Sequence, residues 1–424
     1  MKLFNVRRRL IKPPSGGLIA GLDIGSSKVS CAIARLNPSG IPELVGFGHQ
    51  ASRGLRNGAI VDMEALATSV AAAVYAAEKM AEETISEVFV CISPAITDSH
   101  PVSVETAISG HPIDETDVRK MVSQACQGLE KPGQHVIHAI PVSYEIDGSR
   151  GIRDPRGMFG DRLGANIYIV TGHSGMLRNF AACIERCHLE IAGFVVSGYA
   201  SGLSTLVDDE MELGVTLVDM GAGCTSIAIF HDGKLYHTDH VNVGGSHVTG
   251  DVARGLSTPM LHAERLKTLY GSAMLSSSNE REKILVPQIG EDEHHKGTQF
   301  TRAELYRIIR PRIEETFELV RERLRECDAD KVAGKRLVLT GGASQLSGIL
   351  HMANLILDKQ GRLGKPIKIN KLAQNARMPE FASTMGLIVY GQNEYRRMGM
   401  PQTKSTKEPL LFFERIGGWL RENL

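Results

Sequence analysis

The chain has 424 residues, of which 42% are apolar and 23% charged; this length and composition predict a globular protein of about two to four domains. Its 48 basic and 48 acidic residues balance, so bulk electrostatics favours neither nucleic-acid binding nor a polyanionic protein. The seven cysteines are scattered without a C-x-x-C pair, which indicates a reducing compartment and argues against structural zinc. No run of about 18 apolar residues occurs, so no membrane span is predicted.

Residues 1–17 form a predicted basic tail. They contain Arg7, Arg8, Arg9 and Lys12 but no secretory cleavage pattern, so we do not interpret them as a signal peptide. A mobile, solvated terminus is expected, with contact to anionic lipid as the alternative.

The next stretch predicts a hairpin with a tight polar tip. An apolar strand runs from Leu18 to Leu22, ends in the carboxylate of Asp23, and is followed by a second alternating strand. Backbone N–H groups and hydroxyls at such a tip can converge on an anion, and Asp23 can hold a hydrated Mg²⁺. One copy alone indicates no more than a hairpin. The candidate binding residues of the tip are Gly25, Ser26, Ser27 and Lys28.

An α/β lobe with an insert is predicted to follow. A helix is expected over 63–82, with an apolar stripe facing the core. Alternating strands around one helix over 93–170 predict a small inserted α+β subdomain. A helix and a strand over 174–195 return to the first lobe, which comprises 18–92 and 171–206. The apolar stripe of the first helix is Leu66, Val70, Ala73, Val74, Ala77 and Met80.

The hairpin pattern returns at 218–230. When the two stretches are aligned, Asp219 lies over Asp23 and Gly221 over Gly25. Two related hairpins imply two related halves. If the halves face each other, both loops can grip one polyphosphate, with the two aspartates flanking a metal between them. The other candidate binding residues of this loop are Gly223, Cys224 and Thr225.

Two helices of the second half carry further candidates. Gly244 and Gly245 precede a helix, and a helix start with two glycines is a possible phosphate contact. The helix over 259–270 places Glu264 and Lys267 one turn apart on one face, which is typical of an exposed ion pair.

The segment after these helices is read as structural. Residues 276–299 are polar and predict an exposed edge, on which His294 and His295 lack a third metal ligand. Thr301 is expected to cap the next helix, where Pro311 predicts a kink or a restart.

A third glycine-rich turn lies in LVLTGGASQLSG over 337–348. An apolar strand leads into Gly341, Gly342 and Ala343, and such glycines allow a planar or phosphorylated ligand to approach the backbone. Helices over 196–206 and 381–392 are rich in small residues, which lets two helices cross closely as a hinge between lobes would require. Ordinary helix packing is the alternative interpretation.

In order, the three turns resemble the phosphate-1, phosphate-2 and adenosine motifs of the actin-like ATPase superfamily. The resemblance implies an α/β, two-lobed fold of duplicated ribonuclease-H-like domains, with ATP and Mg²⁺ in the cleft. Asp23 and Asp219 are the implied metal-site residues, acting through water. An AE-x-x-K helix lies at this point in bacterial actin homologues, which implies ribose and adenine contacts for Glu264 and Lys267. The second lobe would comprise 207–245 and 301–392, and its nucleotide-facing subdomain 246–300.

The C-terminus predicts a membrane anchor. Residues 393–408 read as a polar linker and 409–424 as an amphipathic helix with basic residues beside its apolar face. Such a helix suits a membrane interface, while docking on the protein's own body or on a partner are the alternatives. Gly417 and Gly418 weaken the isolated helix, so folding on contact is expected. The membrane-facing residues are Phe412, Phe413, Ile416, Trp419 and Leu420.

Over 19–424, including the DPRGM turn at 154–158, the chain resembles the FtsA family of bacterial cell-division proteins. The resemblance implies self-association into head-to-tail filaments, a peripheral location on the cytoplasmic face of the inner membrane at the division site, and recruitment of later division proteins. It also implies tethering of the tubulin-like protein FtsZ through its C-terminal tail, and points to 241–299 as the contacting region. No nucleic-acid partner is expected.

Departures from the superfamily pattern concern hydrolysis. Cys224 stands where the chaperone-type loop has threonine, and Ser226 stands where an acidic residue is frequent. Ser197 stands where related ATPases often carry a glutamate that positions the attacking water. General-base assistance is worth about 10²- to 10⁴-fold in rate. We therefore expect ATP binding with at most slow or conditional hydrolysis, and assign no catalytic base.

Two other functions within the superfamily are weighed. A small-molecule kinase would need an aspartate poised as base in a substrate pocket, and the sequence identifies none. A chaperone-like ATPase would need an appended peptide-binding domain, for which the about 30 residues after 392 are too few.

Overall fold

The computed structural model describes residues 17–397, except 57, 109, 130–131, 276–279, 291–296 and 328. The basic tail up to residue 16, the pair His294 and His295, and the chain from 398 onward, which includes the predicted amphipathic helix, lie outside the described residues. Within the described part of the chain, no helix is long and apolar enough to cross a membrane.

The chain alternates strands and helices throughout. The elements of its first half are β1 (Leu18–Ile24), β2 (Lys28–Leu36), β3 (Pro42–Ala51), β4 (Leu55–Arg56), β5 (Ala59–Ile60), α1 (Met63–Ala81), β6 (Glu87–Ile92), β7 (Thr97–Ala107), α2 (Glu115–Gln127), β8 (Gln134–Ile146), β9 (Ser149–Ile152), β10 (Arg162–His173), α3 (Ser174–Glu185), β11 (Glu190–Val196) and α4 (Ser197–Thr205). Those of its second half are α5 (Asp208–Leu213), β12 (Val215–Met220), β13 (Thr225–His231), β14 (Lys234–Val241), α6 (Gly245–Gly255), α7 (Met260–Tyr270), β15 (Lys283–Val286), β16 (Thr298–Thr301), α8 (Arg302–Glu326), α9 (Ala329–Ala333), β17 (Arg336–Thr340), α10 (Ile349–Leu357), β18 (Gln360–Leu363) and α11 (Ala382–Arg397).

Two five-stranded sheets with the same topology form the two lobes. Their strand orders are β3-β2-β1-β6-β11 and β14-β13-β12-β17-β18. In each sheet three antiparallel strands form a meander. A later strand pairs in parallel with the first strand of the meander, and a second later strand pairs in parallel with that one. The central strands β1 and β12 are apolar and buried on both faces, as expected where helices cover a sheet on each side. The two hairpins predicted from the sequence are therefore the opening strands of two duplicated sheets.

The insert is a separate four-stranded sheet with the order β7-β10-β8-β9. Helix α2 packs on it, and its N-terminus is capped by Asp114, whose carboxylate accepts from the backbone N–H groups of Thr116 and Asp117 at 2.6 and 3.1 Å. The small core of the insert includes Met121 and Leu163, both almost fully buried.

The two lobes are joined where helices α4 and α11 cross. A Cβ atom built on Gly386 would lie 1.8 Å from the carbonyl oxygen of Ala200, so only glycine permits this approach. The Ser204 hydroxyl donates to the carbonyl oxygen of Ala382 at 2.6 Å and ties the helices together at the crossing. The small residues of both helices are thus needed for a close crossing, as the sequence indicated.

The insert also bonds to the second lobe. The hydroxyl of Tyr168 on β10 accepts from the backbone N–H of Thr238 on β14 at 2.6 Å. The Ser99 hydroxyl lies 3.1 Å from that of Thr238, and Lys234 donates to the carbonyl oxygen of Val142 at 3.1 Å. In sequence, the insert interrupts the first lobe. In space, these bonds attach it to β14, the edge strand of the second lobe.

A buried histidine connects the insert to the helix crossing. His138 on β8 accepts from the backbone N–H of Val196 through Nε2 at 3.2 Å. Its ring lies edge-on to Tyr199 on α4 and Tyr390 on α11, with centroids 5.3 and 5.7 Å apart. Burial lowers the pKa of His138 to about 3, so the ring stays neutral and keeps its acceptor nitrogen at physiological pH.

Two local expectations differ from the structure, and a third is narrowed. Met80 is 53% exposed and lies off the buried stripe of α1, where Ser69 is buried instead. At Pro311 a restart does not occur, because helix α8 continues through that residue, and a kink stays a prediction. Helix α11 extends to Arg397, five residues into the segment read as a linker from 393, because Tyr395 is buried and bonds to Glu87.

Substitution of Gly386 tests the helix crossing. We expect Gly386→Ala to destabilise the protein by about 3 kcal/mol, because its Cβ would force the two helices apart. Gly175→Ala, in helix α3, is the matched control: its Cβ would meet no atom within 4 Å, and helix propensity favours alanine. Thermal unfolding followed by circular dichroism should show a lowered Tm for Gly386→Ala only; equal Tm values would contradict the close crossing.

Candidate functional site

The two hairpin tips have the same local geometry. Asp23 is paired with Ser30 across β1 and β2, and Asp219 is paired with Ser226 across β12 and β13. In the first tip the N–H of Gly25 donates to the carbonyl oxygen of Lys28 at 3.0 Å. In the second the corresponding bond runs from Gly221 to Cys224, also at 3.0 Å. The alignment of the two loops made from the sequence is thus reproduced bond for bond.

The charge of Asp23 influences the ionisation of Asp219, and both carboxylates are affected by burial. Burial raises the pKa of Asp219 to about 6, and the negative charge of Asp23 adds to the rise. Burial also raises the pKa of Asp23, against the opposing effect of its hydrogen bond from Ser383 and the charge of Lys28. The cleft therefore holds two partly desolvated carboxylates, an arrangement that a cation would stabilise.

Lys28 is a cation shared by both loops. Its positive charge opposes the rise that burial causes in the pKa of both Asp23 and Asp219. Its ammonium lies 3.9 Å from a carboxylate oxygen of Glu380 and 4.5 Å from the centroid of the Phe381 ring. Burial lowers the pKa of Lys28, although these carboxylates act in the opposite direction. Lys28 is thus placed to interact with an anion between the two hairpins.

Residues at the second tip bond to both lobes. The thiol of Cys224 lies 3.2 Å from the hydroxyl of Ser93 in the first lobe, and burial raises the pKa of that thiol. Thr225 donates to the carbonyl oxygen of Val243 at 2.8 Å. Gly223, which precedes both residues, is buried, whereas Ser26 of the first tip is half-buried and Ser27 is exposed.

The start of helix α6 packs directly on the second tip. The N–H of Gly245 donates to the carbonyl oxygen of Gly221 at 2.9 Å, and the N–H of Gly244 donates to Nδ1 of His247 at 3.1 Å. A Cβ on Gly244 would lie 2.6 Å from the carbonyl oxygen of Ala222. These two N–H groups are thus engaged within the protein, and the glycines serve close packing of the loop. A direct phosphate contact by either stays a prediction.

The AE-x-x-K helix is bonded to this loop as well. Lys267 donates to the carbonyl oxygen of Gly245 at 3.1 Å, to the hydroxyl of Thr249 at 2.9 Å, and to a carboxylate oxygen of Glu264 at 2.7 Å. Thr249 also donates to Glu264. The ion pair expected from the sequence is present, but the Lys267 side chain is only 15% exposed whereas that of Glu264 is 52% exposed. Glu264 therefore keeps a free face beside the cleft.

The third glycine-rich turn closes the site next to Asp219. Gly341 has φ of 86°, and a Cβ there would lie 2.3 Å from Oδ1 of Asp219. A Cβ on Gly245 would meet that of Ala343 at 3.2 Å. Gly342 faces Glu380, with 3.6 Å between its built Cβ and the Glu380 Cβ. The structure thus brings all three turns and the AE-x-x-K helix together.

Several site residues were missed by the sequence reading. The contacts of Ser93, Thr249, Glu380 and Phe381 described above were not predicted. Ser201 and Ser383 were noted only as small residues of the connecting helices. For Thr249 a signal exists, because it lies four residues after Gly245 on one helix face; the others come from distant segments.

The donor set suits a hydrated magnesium ion. Among the described residues, no group of three or more His, Cys, Asp or Glu side chains is arranged to hold a metal ion by itself. Two facing carboxylates match Mg²⁺, which keeps several waters and binds through one or two carboxylates together with substrate phosphates. The residues therefore fit a metal that arrives with a polyphosphate.

Removing the charge at Asp219 should stabilise the protein without nucleotide. Because the pKa of Asp219 is raised from 3.8 to about 6, folding at pH 7.5 carries the cost of a buried carboxylate. This cost shrinks as the pH falls below about 6, where the folded state takes up a proton, and is lost only below the unfolded pKa of 3.8. Asp219→Asn is expected to gain about 1–3 kcal/mol at pH 7.5, and the gain should shrink at pH 5. Thermal unfolding at both pH values measures this.

Asp251→Asn is expected to change Tm at pH 7.5 in the opposite direction. Burial acts to raise the pKa of Asp251, but the hydrogen bond and charge of Arg312 lower it overall, so loss of its charge should lower Tm at pH 7.5. A Tm gain for Asp219→Asn that does not depend on pH would contradict the account given for Asp219.

Comparison with family models gives two matches. Residues 216–386 match the model of the cell division protein FtsA, and residues 95–171 match that of the SHS2 domain inserted in FtsA. The second match covers the stretch that forms most of the four-stranded insert sheet.

Relatives and solved structures agree with these matches. The cell division protein FtsA of Rhizobium meliloti is 42% identical over 421 residues, which cover 96% of this chain and 95% of the relative. The type IV pilus PilM-PilN complex matches with a TM-score of 0.65 at 17% identity, over 88% of this chain and 98% of that one. MreB5 of Spiroplasma citri bound to ADP matches with a TM-score of 0.55 at 13% identity, over 91% and 99%. The predicted fold class, an actin-like fold with an inserted subdomain, is confirmed.

Proposed function

This chain belongs to the FtsA family of cell division proteins, and from that premise we propose that it is a nucleotide-switched membrane tether. In this proposal it binds ATP with Mg²⁺, polymerises on the cytoplasmic face of the inner membrane, and attaches FtsZ to that membrane at the division site. Recruitment of later division proteins is its second role.

The observation that carries the nucleotide part is the matched pair of hairpins around Lys28. Two loops with the same turn geometry present one aspartate each, and one lysine interacts with both. A polyphosphate between the loops would meet Lys28 and the hydroxyls of Ser26 and Ser27. Asp23 and Asp219 would hold the hydrated Mg²⁺, which supplies neutralisation of the phosphate charge. Lys267, Glu264 and the turn over 341–343 would surround the nucleoside.

The proposal treats nucleotide binding, and not rapid turnover, as the switch. At the position where a glutamate would assist hydrolysis, the Ser197 hydroxyl lies 2.9 Å from that of Ser226. A serine hydroxyl is a poor proton acceptor at neutral pH, so the expected hydrolysis is slow. Binding alone can bias the relative position of two lobes if their closed arrangement has the higher affinity.

A partner surface is available on the nucleotide-facing subdomain of the second lobe. Five apolar side chains there are more than half exposed, and exposed apolar surface of this kind favours protein contacts. They lie on α7, on β15 and just after β15, within the region that the family resemblance assigns to FtsZ. They are Met260 (54%), Leu261 (79%), Leu269 (57%), Leu285 (56%) and Ile289 (67%).

Nucleotide binding is tested with the two aspartates. Asp23→Ala and Asp219→Ala are each expected to weaken ATP binding about tenfold or more in the presence of Mg²⁺, as measured by isothermal titration calorimetry. Asp208→Ala is the control, since Asp208 is 93% exposed on α5 and outside the site. Unchanged affinity in both cleft variants would disprove the cleft assignment.

Membrane attachment is tested by co-sedimentation with anionic liposomes. Trp419→Glu and a chain ending at Glu408 are both expected to stay in the supernatant, because the predicted apolar face is broken or removed. Leu213→Glu makes the same kind of change at a side chain that is 77% exposed in the second lobe, and it should sediment like the wild type. Full sedimentation of the truncated chain would show that the anchor lies elsewhere.

A further inference from the structure

Each cleft aspartate accepts a hydrogen bond from a serine of a connecting helix. Ser201 on α4 donates to Oδ2 of Asp219 at 2.5 Å. Ser383 on α11 donates to Oδ2 of Asp23 at 2.6 Å. The two bonds are equivalent in the duplicated fold, because α4 and α11 each follow the last strand of their sheet.

These bonds fix which carboxylate oxygen faces which way. Oδ1 of Asp219 lies beside Gly341, whose built Cβ would be 2.3 Å away, while Oδ2 is held by Ser201. At Asp23, Oδ2 is held by Ser383 and lies 3.5 Å from the Thr384 hydroxyl. Donors on Oδ2 restrict rotation of each carboxylate, with one hydroxyl at Asp219 and two at Asp23. Because a carboxylate has about four acceptor positions, lone pairs remain for further donors. An outer-sphere magnesium site needs such oriented lone pairs, since the waters of the ion are the donors.

Both serines are buried, so their hydroxyls donate to the aspartates and not to bulk water. Ser201 is fully buried and Ser383 is 9% exposed. Without the serine donors the aspartates would lose hydrogen-bond partners in a desolvated site, which is costly for a charged acceptor.

We propose that Ser201 and Ser383 are positioning residues, which orient Asp219 and Asp23 toward the water shell of a nucleotide-bound Mg²⁺. The inference rests on the nucleotide binding proposed above and adds to it the residues that set its metal dependence. In this proposal, helices α4 and α11 contact the two carboxylates through Oδ2.

The test compares ATP affinity with Mg²⁺ and in EDTA. The dissociation constant in EDTA divided by the dissociation constant with Mg²⁺ reports the contribution of the metal to ATP binding. Ser201→Ala and Ser383→Ala are each expected to lower this ratio about five- to tenfold, while ATP binding in EDTA changes little. Ser383→Thr keeps the donor and should restore the ratio to about the wild-type value.

Ser204→Ala is the matched control on the same helix. Ser204 is also fully buried, but its hydroxyl donates to the carbonyl oxygen of Ala382 and not to an aspartate. It should lower Tm without lowering the metal-dependent ratio. Thermal unfolding of every variant separates loss of stability from loss of metal dependence, and the Ser383 pair decides the matter if Ser201→Ala does not fold.

Three outcomes would overturn the proposal or its premise. An unchanged ratio in Ser383→Ala and in folded Ser201→Ala overturns the positioning role. A ratio that falls equally in Ser204→Ala assigns the effect to general loosening of the helix crossing. A wild-type chain that binds no ATP under either condition overturns the nucleotide-binding proposal, and this inference with it.

Discussion

Removal of two carboxylates from water is the constraint on which the cleft depends. Asp23 and Asp219 end equivalent strands, and burial raises the pKa of both. An isolated carboxylate in such a place would favour its neutral form. Hydroxyl donors and the lysine of the first tip compensate in part, and the remaining cost is lowered by any cation that reaches the site. The site therefore favours a ligand that brings a cation, and the folded protein is less stable when no cation is bound.

The sequence was sufficient for most features that depend on local pattern, although it placed Met80 on the buried stripe of α1, where Met80 is exposed. Alternating apolar residues around Asp23 and Asp219 predicted both hairpins, and their aligned glycines predicted the shared turn geometry. The insert, the AE-x-x-K helix and the turn at Gly341 were also predicted, since each has its own periodicity or turn chemistry. Duplication made these local signals add up to a fold.

Contacts between distant segments could not be read in the same way. Ser383 is separated from Asp23 by 360 positions, and a serine in a small-residue helix gives no sign of which carboxylate it will meet. The length of α11 has a similar origin, because Tyr395 extends the helix through a tertiary contact with Glu87. The partners of the Gly244 and Gly245 N–H groups, a histidine and a neighbouring loop, were likewise not predicted. In each case the deciding partner lies outside the pattern that was read.

The contacts of the insert restrict how the lobes can move. The lobes are connected at the crossing of α4 and α11 and, separately, where Tyr168 of the insert bonds to Thr238 on β14. The lobes are also in contact at the cleft, where the Cys224 thiol lies 3.2 Å from the Ser93 hydroxyl. A change in the gap between Asp23 and Asp219 therefore has to shift contacts at the helix crossing, at the insert or at the cleft. A probe placed on the insert would register such a shift at a distance from the two aspartates.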